Sequence, residues 1–177
     1  MADESTTVTG EPCPFCHEKA LSMTEMRREV PYFGVCYLFS MDCTNCKYHK
    51  ADIEAEEKHE PVRFDFEAKS EDDLKVRVVK SSNATVKLGT IGSIEPGEAA
   101  NGYLTNVEGL LKRLQHRIES LKEAAKEEGD DATVKKAKGH LKRLTRILWG
   151  QEPIKITLTD PSGNSAIISE AAVKKRL

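Results

Sequence analysis

Hydrophobic and polar residues change rhythm several times along this chain, and each change predicts an element. Leu21–Val30 reads as one arm of a β-hairpin, Pro31-Tyr32-Phe33-Gly34 as its turn, and Val35-Cys36-Tyr37-Leu38-Phe39-Ser40-Met41 as a β-rich return arm. Shorter runs with strand character follow at residues 52–56, 62–68, 74–80 and 84–88. In Val62-Arg63-Phe64-Asp65-Phe66 and Val76-Arg77-Val78, apolar residues alternate with charged ones, as half-buried strands require. Gly89, Gly92, Pro96, Gly97 and Gly102 then break the pattern. Val107, Leu111, Leu114, Ile118 and Leu121 recur at helical spacing, behind a Thr105-Asn106-Val107-Glu108 capping box. Gly129 supplies a C-cap and Asp130-Asp131 an N-cap for a second helix carrying Val134, Ala137, Leu141, Leu144 and Leu148. That helix ends at Gly150, with Pro153 beyond, so the two stripes predict an antiparallel αα-hairpin. An alternating strand over 154–158, an Asp160-Pro161-Ser162-Gly163-Asn164 turn and a returning strand over 165–169 complete the reading.

Five cysteines change this picture. Cys13-Pro14-Phe15-Cys16-His17 is compatible with haem attachment, a thioredoxin-like redox centre or half of a zinc site. A second pair, Cys43-Thr44-Asn45-Cys46, follows after 26 intervening residues. The hairpin between the pairs brings its two ends together, so four thiolates meet in the closed set that structural zinc prefers. A redox centre needs an apolar strand before the first cysteine, whereas the segment before Cys13 is polar. Haem attachment needs export and an axial partner, and the sequence shows neither. Cys13, Cys16, Cys43 and Cys46 are therefore the expected ligands of one Zn2+. Cys36 is expected as a small buried thiol, and His17 and His49 as flanking groups.

Charge adds an asymmetry. Residues 1–100 carry 12 Lys/Arg against 19 Asp/Glu, and residues 101–177 carry 15 against 10, within a formal net charge of −2. Lys135, Lys136, Lys138, His140, Lys142, Arg143 and Arg146 crowd the second helix. They offer either a solvated face or a surface for RNA or an acidic partner, although no aromatics interleave for base stacking. The polar start has neither the basic nor the apolar region of a signal peptide, which predicts a cytoplasmic protein. P-loop, dinucleotide-binding and nucleophile-elbow motifs are missing and the five histidines are scattered, so an enzyme is not expected.

The motifs together resemble the ZPR-type zinc-finger family. Cys13-Pro14-Phe15-Cys16, the Pro31-Tyr32-Phe33-Gly34 turn and the second knuckle with Tyr48 match its ribbon. Val79-Lys80-Ser81-Ser82-Asn83-Ala84-Thr85 is similar to its "V-K-S-x-x-A-T/S" strand. Gly102-Tyr103-Leu104-Thr105-Asn106-Val107-Glu108-Gly109-Leu110-Leu111 is similar to "G-x-x-T-x-x-E-G-L-L", and Asp160-Pro161-Ser162-Gly163-Asn164-Ser165 to "D-P-x-G-N-S". Eukaryotic members carry the ribbon-plus-β unit twice, so a single copy resembles the short archaeal-type form. The resemblance implies a mostly β fold with an α insertion. Its parts are a flexible N-terminus (1–11), a zinc ribbon (12–50) and a double-stranded β-helix, jelly-roll-like domain (51–177) carrying a helical hairpin at 105–149. It further implies a chaperone-like partner of translation elongation factor 1-alpha, with RNA or the ribosome as the alternative. The contacts it implies are Tyr32, Phe33, Lys80, Ser81, Asp160, Gly163 and Asn164.

Overall fold

The computed structural model describes residues 4–30, 34–56, 59–97 and 100–177. Its first part is a four-stranded antiparallel sheet in chain order, β1 (Glu4–Glu11), β2 (Leu21–Val30), β3 (Gly34–Cys43) and β4 (His49–Ala55). The expected hairpin is β2–β3, in register from Leu21 opposite Cys43 to Val30 opposite Gly34. Its turn at residues 31–33 lies outside the described residues. Two expectations need correction. Residues 4–11 are a strand rather than a flexible tail. An edge strand is held by ladder hydrogen bonds, so the Thr-rich segment pairs with β2 without an apolar face, and Thr7 Oγ1 lies 3.1 Å from Thr24 Oγ1. The register slips between Thr9 and Glu11, where Gly10 takes a positive φ of 82° as a β-bulge requires. The ribbon sheet also runs beyond residue 50, because β4 continues to Ala55 so that Ile53 can reach the core.

The second part holds two sheets. One has the order β12-β5-β10-β7-β8, from β5 (Val62–Ala68), β7 (Thr85–Leu88), β8 (Gly92–Ile94), β10 (Ile154–Asp160) and β12 (Val173–Arg176). The other has the order β11-β6-β9, from β6 (Arg77–Lys80), β9 (Tyr103–Asn106) and β11 (Ala166–Ile168). Strand β10 sits centrally and buries every second residue: Ile154, Ile156, Leu158 and Asp160. Strand β6 is covered on both faces, since the neighbours Val78 and Val79 are both fully buried. The expected strand over 74–80 is split. Asp73 Oδ2 accepts bonds from Lys69 N, Ser70 N and Ser70 Oγ, which curls 73–75 into a 3-10 turn before β6 begins.

The helical hairpin is α1 (Val107–Glu127) and α2 (Asp131–Leu148). Thr105 is not its N-cap; it lies within β9, opposite Val78. The cap is Asn106, whose side chain accepts from Gly109 N at 2.8 Å, and Glu108 pairs with Lys112 instead of closing a box. A side chain at Gly109 would collide with Thr105 Oγ1, since an ideal Cβ comes within 2.3 Å of it. Val107, Leu110, Leu111, Leu114 and Ile118 face the core, joined by Ala137, Leu144 and Ile147 of α2. Leu121 is 56% exposed, so the apolar stripe leaves the core one turn earlier than the periodicity implies. Asp130 caps α2 by accepting from Thr133 N. No helix among the described residues is long and apolar enough to cross a membrane.

One apolar core joins the two parts. Val30, Cys36 and Ile53 of the ribbon sheet share a cluster with Val79, Leu110, Leu144 and Ile156. Cys36 is fully buried there, as a small thiol was expected to be. At the seam, Gly102 N donates to Asp52 Oδ1 at 3.1 Å, and a Cβ on Gly102 would lie 2.6 Å from both Asp52 Oδ1 and Ile53 Cγ2. Gly102→Ala is therefore expected to lower stability by about 1–3 kcal/mol through overpacking, with metal content unchanged, as read from denaturant unfolding. A second prediction concerns Asp65, which accepts from Lys175, Arg63 and Thr157 and so ties β5 to β10 and β12. The Lys175 and Arg63 cations and the Thr157 hydroxyl hold its carboxyl well below the usual range. A depressed folded-state value contributes stability above the unfolded value of about 4 and loses it as pH falls further. Melting temperatures from pH 6 downward should thus fall below about pH 4 more steeply in the native chain than in Asp65→Asn.

Candidate metal centre

Two copies of one local turn build the site. Cys13 N donates to Glu18 O at 2.9 Å and His17 N to Cys13 O at 2.9 Å. In the second copy, Cys43 N donates to Tyr48 O at 2.8 Å and Lys47 N to Cys43 O at 3.1 Å. The residue after each second cysteine is left-handed, with φ of 62° at His17 and 61° at Lys47. That conformation, uncommon for residues with a Cβ, lets each C-x-x-C fold back so that both sulfurs point inward. The β2–β3 hairpin then sets the turns face to face, with Leu21 opposite Cys43 and a further clamp from Thr44 N to Ala20 O at 3.0 Å.

The four Sγ atoms all lie within 4.8 Å of one another, Cys13 to Cys46 at 3.6 Å and Cys16 to Cys43 at 3.7 Å. A zinc ion with Zn–S bonds of ~2.3 Å sets tetrahedral edges of ~3.8 Å, so the quartet fits one structural zinc. These separations are too long for disulfides, and all five cysteines are free. Electrostatics agree with a cation site. The Cys16 thiol is drawn down to about 6 by hydrogen bonds with the Asn45 side chain and the Glu18 backbone. The Cys46 thiol is pushed up to about 12. A backbone hydrogen bond at Tyr48 works against that rise and is outweighed by burial together with the Cys43, Cys16 and Cys13 sulfurs. Crowded sulfurs resist ionising together unless a cation sits between them, and thiolates are the form that binds metal. Four thiolates fill the four positions of a tetrahedral site, which is the chemistry of a structural clamp. His17 and His49 stay outside. His17 is exposed, and His49 Nδ1 lies 2.6 Å from Asp42 Oδ1.

The other expected contacts fare differently. Tyr32 and Phe33 lie outside the described residues. Lys80, Ser81 and Asp160 are buried, with 2%, 2% and 0% exposure; the Ser81 hydroxyl donates to Asp160 inside the fold, and the Lys80 ammonium donates to Ser81 O. Asp160 accepts from Ser81 Oγ, Ser165 Oγ, Ser162 Oγ and Ser162 N, which binds the 160–165 turn to the end of β6. Gly163 has φ of 73° and lies so close to Glu60 O that a Cβ would approach it to 2.5 Å, so this glycine is required by packing. Asn164 beside it is half-buried. The periodicity gave no weight to Phe15, which is 69% exposed with its ring centroid 4.6 Å from that of Tyr48. Its signal was an aromatic inside the first knuckle and another two residues past the second.

The model of the ZPR1 jelly-roll domain matches residues 72–176. An uncharacterized ZPR1-like protein of Pyrococcus horikoshii is 32% identical over 167 residues, covering 93% of this chain and 75% of that protein. Its counterpart in Methanocaldococcus jannaschii is 34% identical, with 93% and 83% covered. The zinc finger chaperone zpr1 of Schizosaccharomyces pombe is 29% identical over 140 residues, 78% of this chain but 30% of its own length. Purified protein is expected to carry one zinc per chain by elemental analysis. Cys43→Ser should cost zinc affinity by more than the roughly 10–100-fold typical of losing only an outer hydrogen-bond partner of a ligand. Exchange protection of β2 and β3 should fall with it.

Proposed function

This chain belongs to the ZPR1 family, and on that premise we propose that it is a zinc-stabilised binding protein that engages translation elongation factor 1-alpha and assists its folding. The observation that carries the reading is Phe15. A large apolar ring stands out from a knuckle clamped by two of the four thiolates and backed by Tyr48. A rigid, solvent-facing aromatic loses little conformational freedom on docking, which is what an interface anchor needs. The fission yeast relative is named a chaperone, and a binding role agrees with the closed thiolate set.

A second reading, RNA binding, rests on Lys135, Lys136, Lys138 and Lys142, all exposed on α2. Two further cations of that helix are occupied, since Arg143 and Arg146 both pair with Glu152. The remaining charge has no aromatic platform, so the protein partner is favoured.

Pull-down of elongation factor 1-alpha from the same organism, with GDP, a GTP analogue or no nucleotide, tests both readings. Phe15→Ala is expected to keep its zinc and melting temperature while weakening capture at least about tenfold, the scale of a hot-spot truncation. Failure to bind in every nucleotide state with zinc intact would sink the first reading. RNA affinity that falls steeply with salt would then establish the second.

A further inference from the structure

Away from the zinc knuckles, a cavity of about 440 Å3 opens between α1 and the start of β9, lined by Lys80, Tyr103, Arg113, Leu114, Arg117 and Glu95 among others. The topology brings these groups together. Lys80 at the end of β6 pairs in register with Tyr103 of β9, and Arg113 and Arg117 are one turn apart on α1.

Two features of the lining are unsatisfied. The Tyr103 hydroxyl is buried with no hydrogen-bond partner among the described residues, a costly state for a phenol. The Lys80 ammonium, in a side chain of 2% exposure, has three N–H donors, and among the described residues Ser81 O at 2.9 Å is its one hydrogen-bond acceptor. Charge is unbalanced in the same place. Arg113 stacks on the Tyr103 ring with its Cζ 4.2 Å from the centroid, which leaves its N–H edge available. Arg117 is exposed on α1 and has no ion-pair partner among the described residues. Among the described residues Glu95 is the one carboxylate on the lining, and it accepts from Ser93 Oγ at 2.7 Å. Three cations and an orphan hydroxyl therefore surround a space large enough for a small organic molecule. Burial pulls the Lys80 ammonium below its ordinary value, with Asp160 opposing and Arg113 reinforcing the shift. An anion in the cavity would reverse that penalty.

We propose that this cavity is a binding site for a small phosphomonoester, its phosphate held by Lys80, Tyr103, Arg113 and Arg117 and its organic part against Leu114. Three terminal oxygens fan out toward donors on different elements, which a two-oxygen carboxylate does not match, and paired guanidiniums suit phosphate geometry. Inorganic phosphate shares the headgroup and serves to separate the ion from the ester.

Titration calorimetry on the full zinc-loaded chain at fixed ionic strength is the test, with glycerol 3-phosphate and inorganic phosphate as probes. One site for glycerol 3-phosphate is expected, weakened at least about tenfold in Arg117→Gln and in Tyr103→Phe, the scale of losing one charge-assisted or buried hydrogen bond. Tyr103→Phe removes only the orphan hydroxyl, so the ligand-free variant should melt no lower than the native chain, which separates a binding defect from a folding defect. Absence of heat with both probes at millimolar concentration overturns the proposal. So does binding of inorganic phosphate alone, or undiminished binding by the two variants.

Discussion

The jelly roll closes around a charge that has no access to water. Asp160 ends the central strand of the larger sheet at 0% exposure, and a carboxylate in that position is tolerable only when each oxygen is met by donors. Three serine hydroxyls and one backbone N–H meet it, and Ser81 and Ser165 belong to stretches bordering the smaller sheet. Ser165 Oγ also accepts from Ser81 N at 2.9 Å, so the same cluster fixes the backbone where β6 gives way to its loop. Apolar contacts bring the two sheets together without direction. This cluster supplies the direction, because its bonds are made in one register only.

That constraint explains why the D-P-x-G-N-S and V-K-S segments stand out in the sequence. They read as candidate contacts because the family resemblance singles them out. Here they are inside, satisfying one another across a sequence separation of 79 residues between Ser81 and Asp160. No local pattern reveals such a pairing. Strand and helix positions, by contrast, were legible where one physical rule dominates. Residues 62–68 alternate because Val62, Phe64, Phe66 and Ala68 face the core while Arg63, Asp65 and Glu67 take the polar side, and the helix stripes recur because one face is buried. Legibility failed where a distant partner decides the outcome. The N-terminal strand has no apolar face of its own and is held by its pairing with β2.

The zinc ligands were legible for a different reason. Four thiolates in two pairs leave few chemical alternatives, and a hairpin between the pairs leaves few geometric ones. The spacing does not disclose what the metal organises. The knuckles rest on a small cluster of their own, Cys13, Leu21 and Cys43, while the far end of the same sheet enters the main core through Val30, Cys36 and Ile53. The metal thus holds one end of the ribbon, the apolar core the other, and Phe15 stands at the free tip.

Gly102, pressed against Asp52 and Ile53, bears on how such a chain is inherited. A ribbon whose inner face completes its neighbour's core is not a portable cassette. Recombination that moved residues 4–55 to another gene would strip Val30, Cys36 and Ile53 of their surroundings and uncover the sheet left behind. The smallest unit that duplication copies without loss is ribbon and jelly roll together. Any lineage that enlarges this architecture must do so by whole repeats rather than by trading fingers.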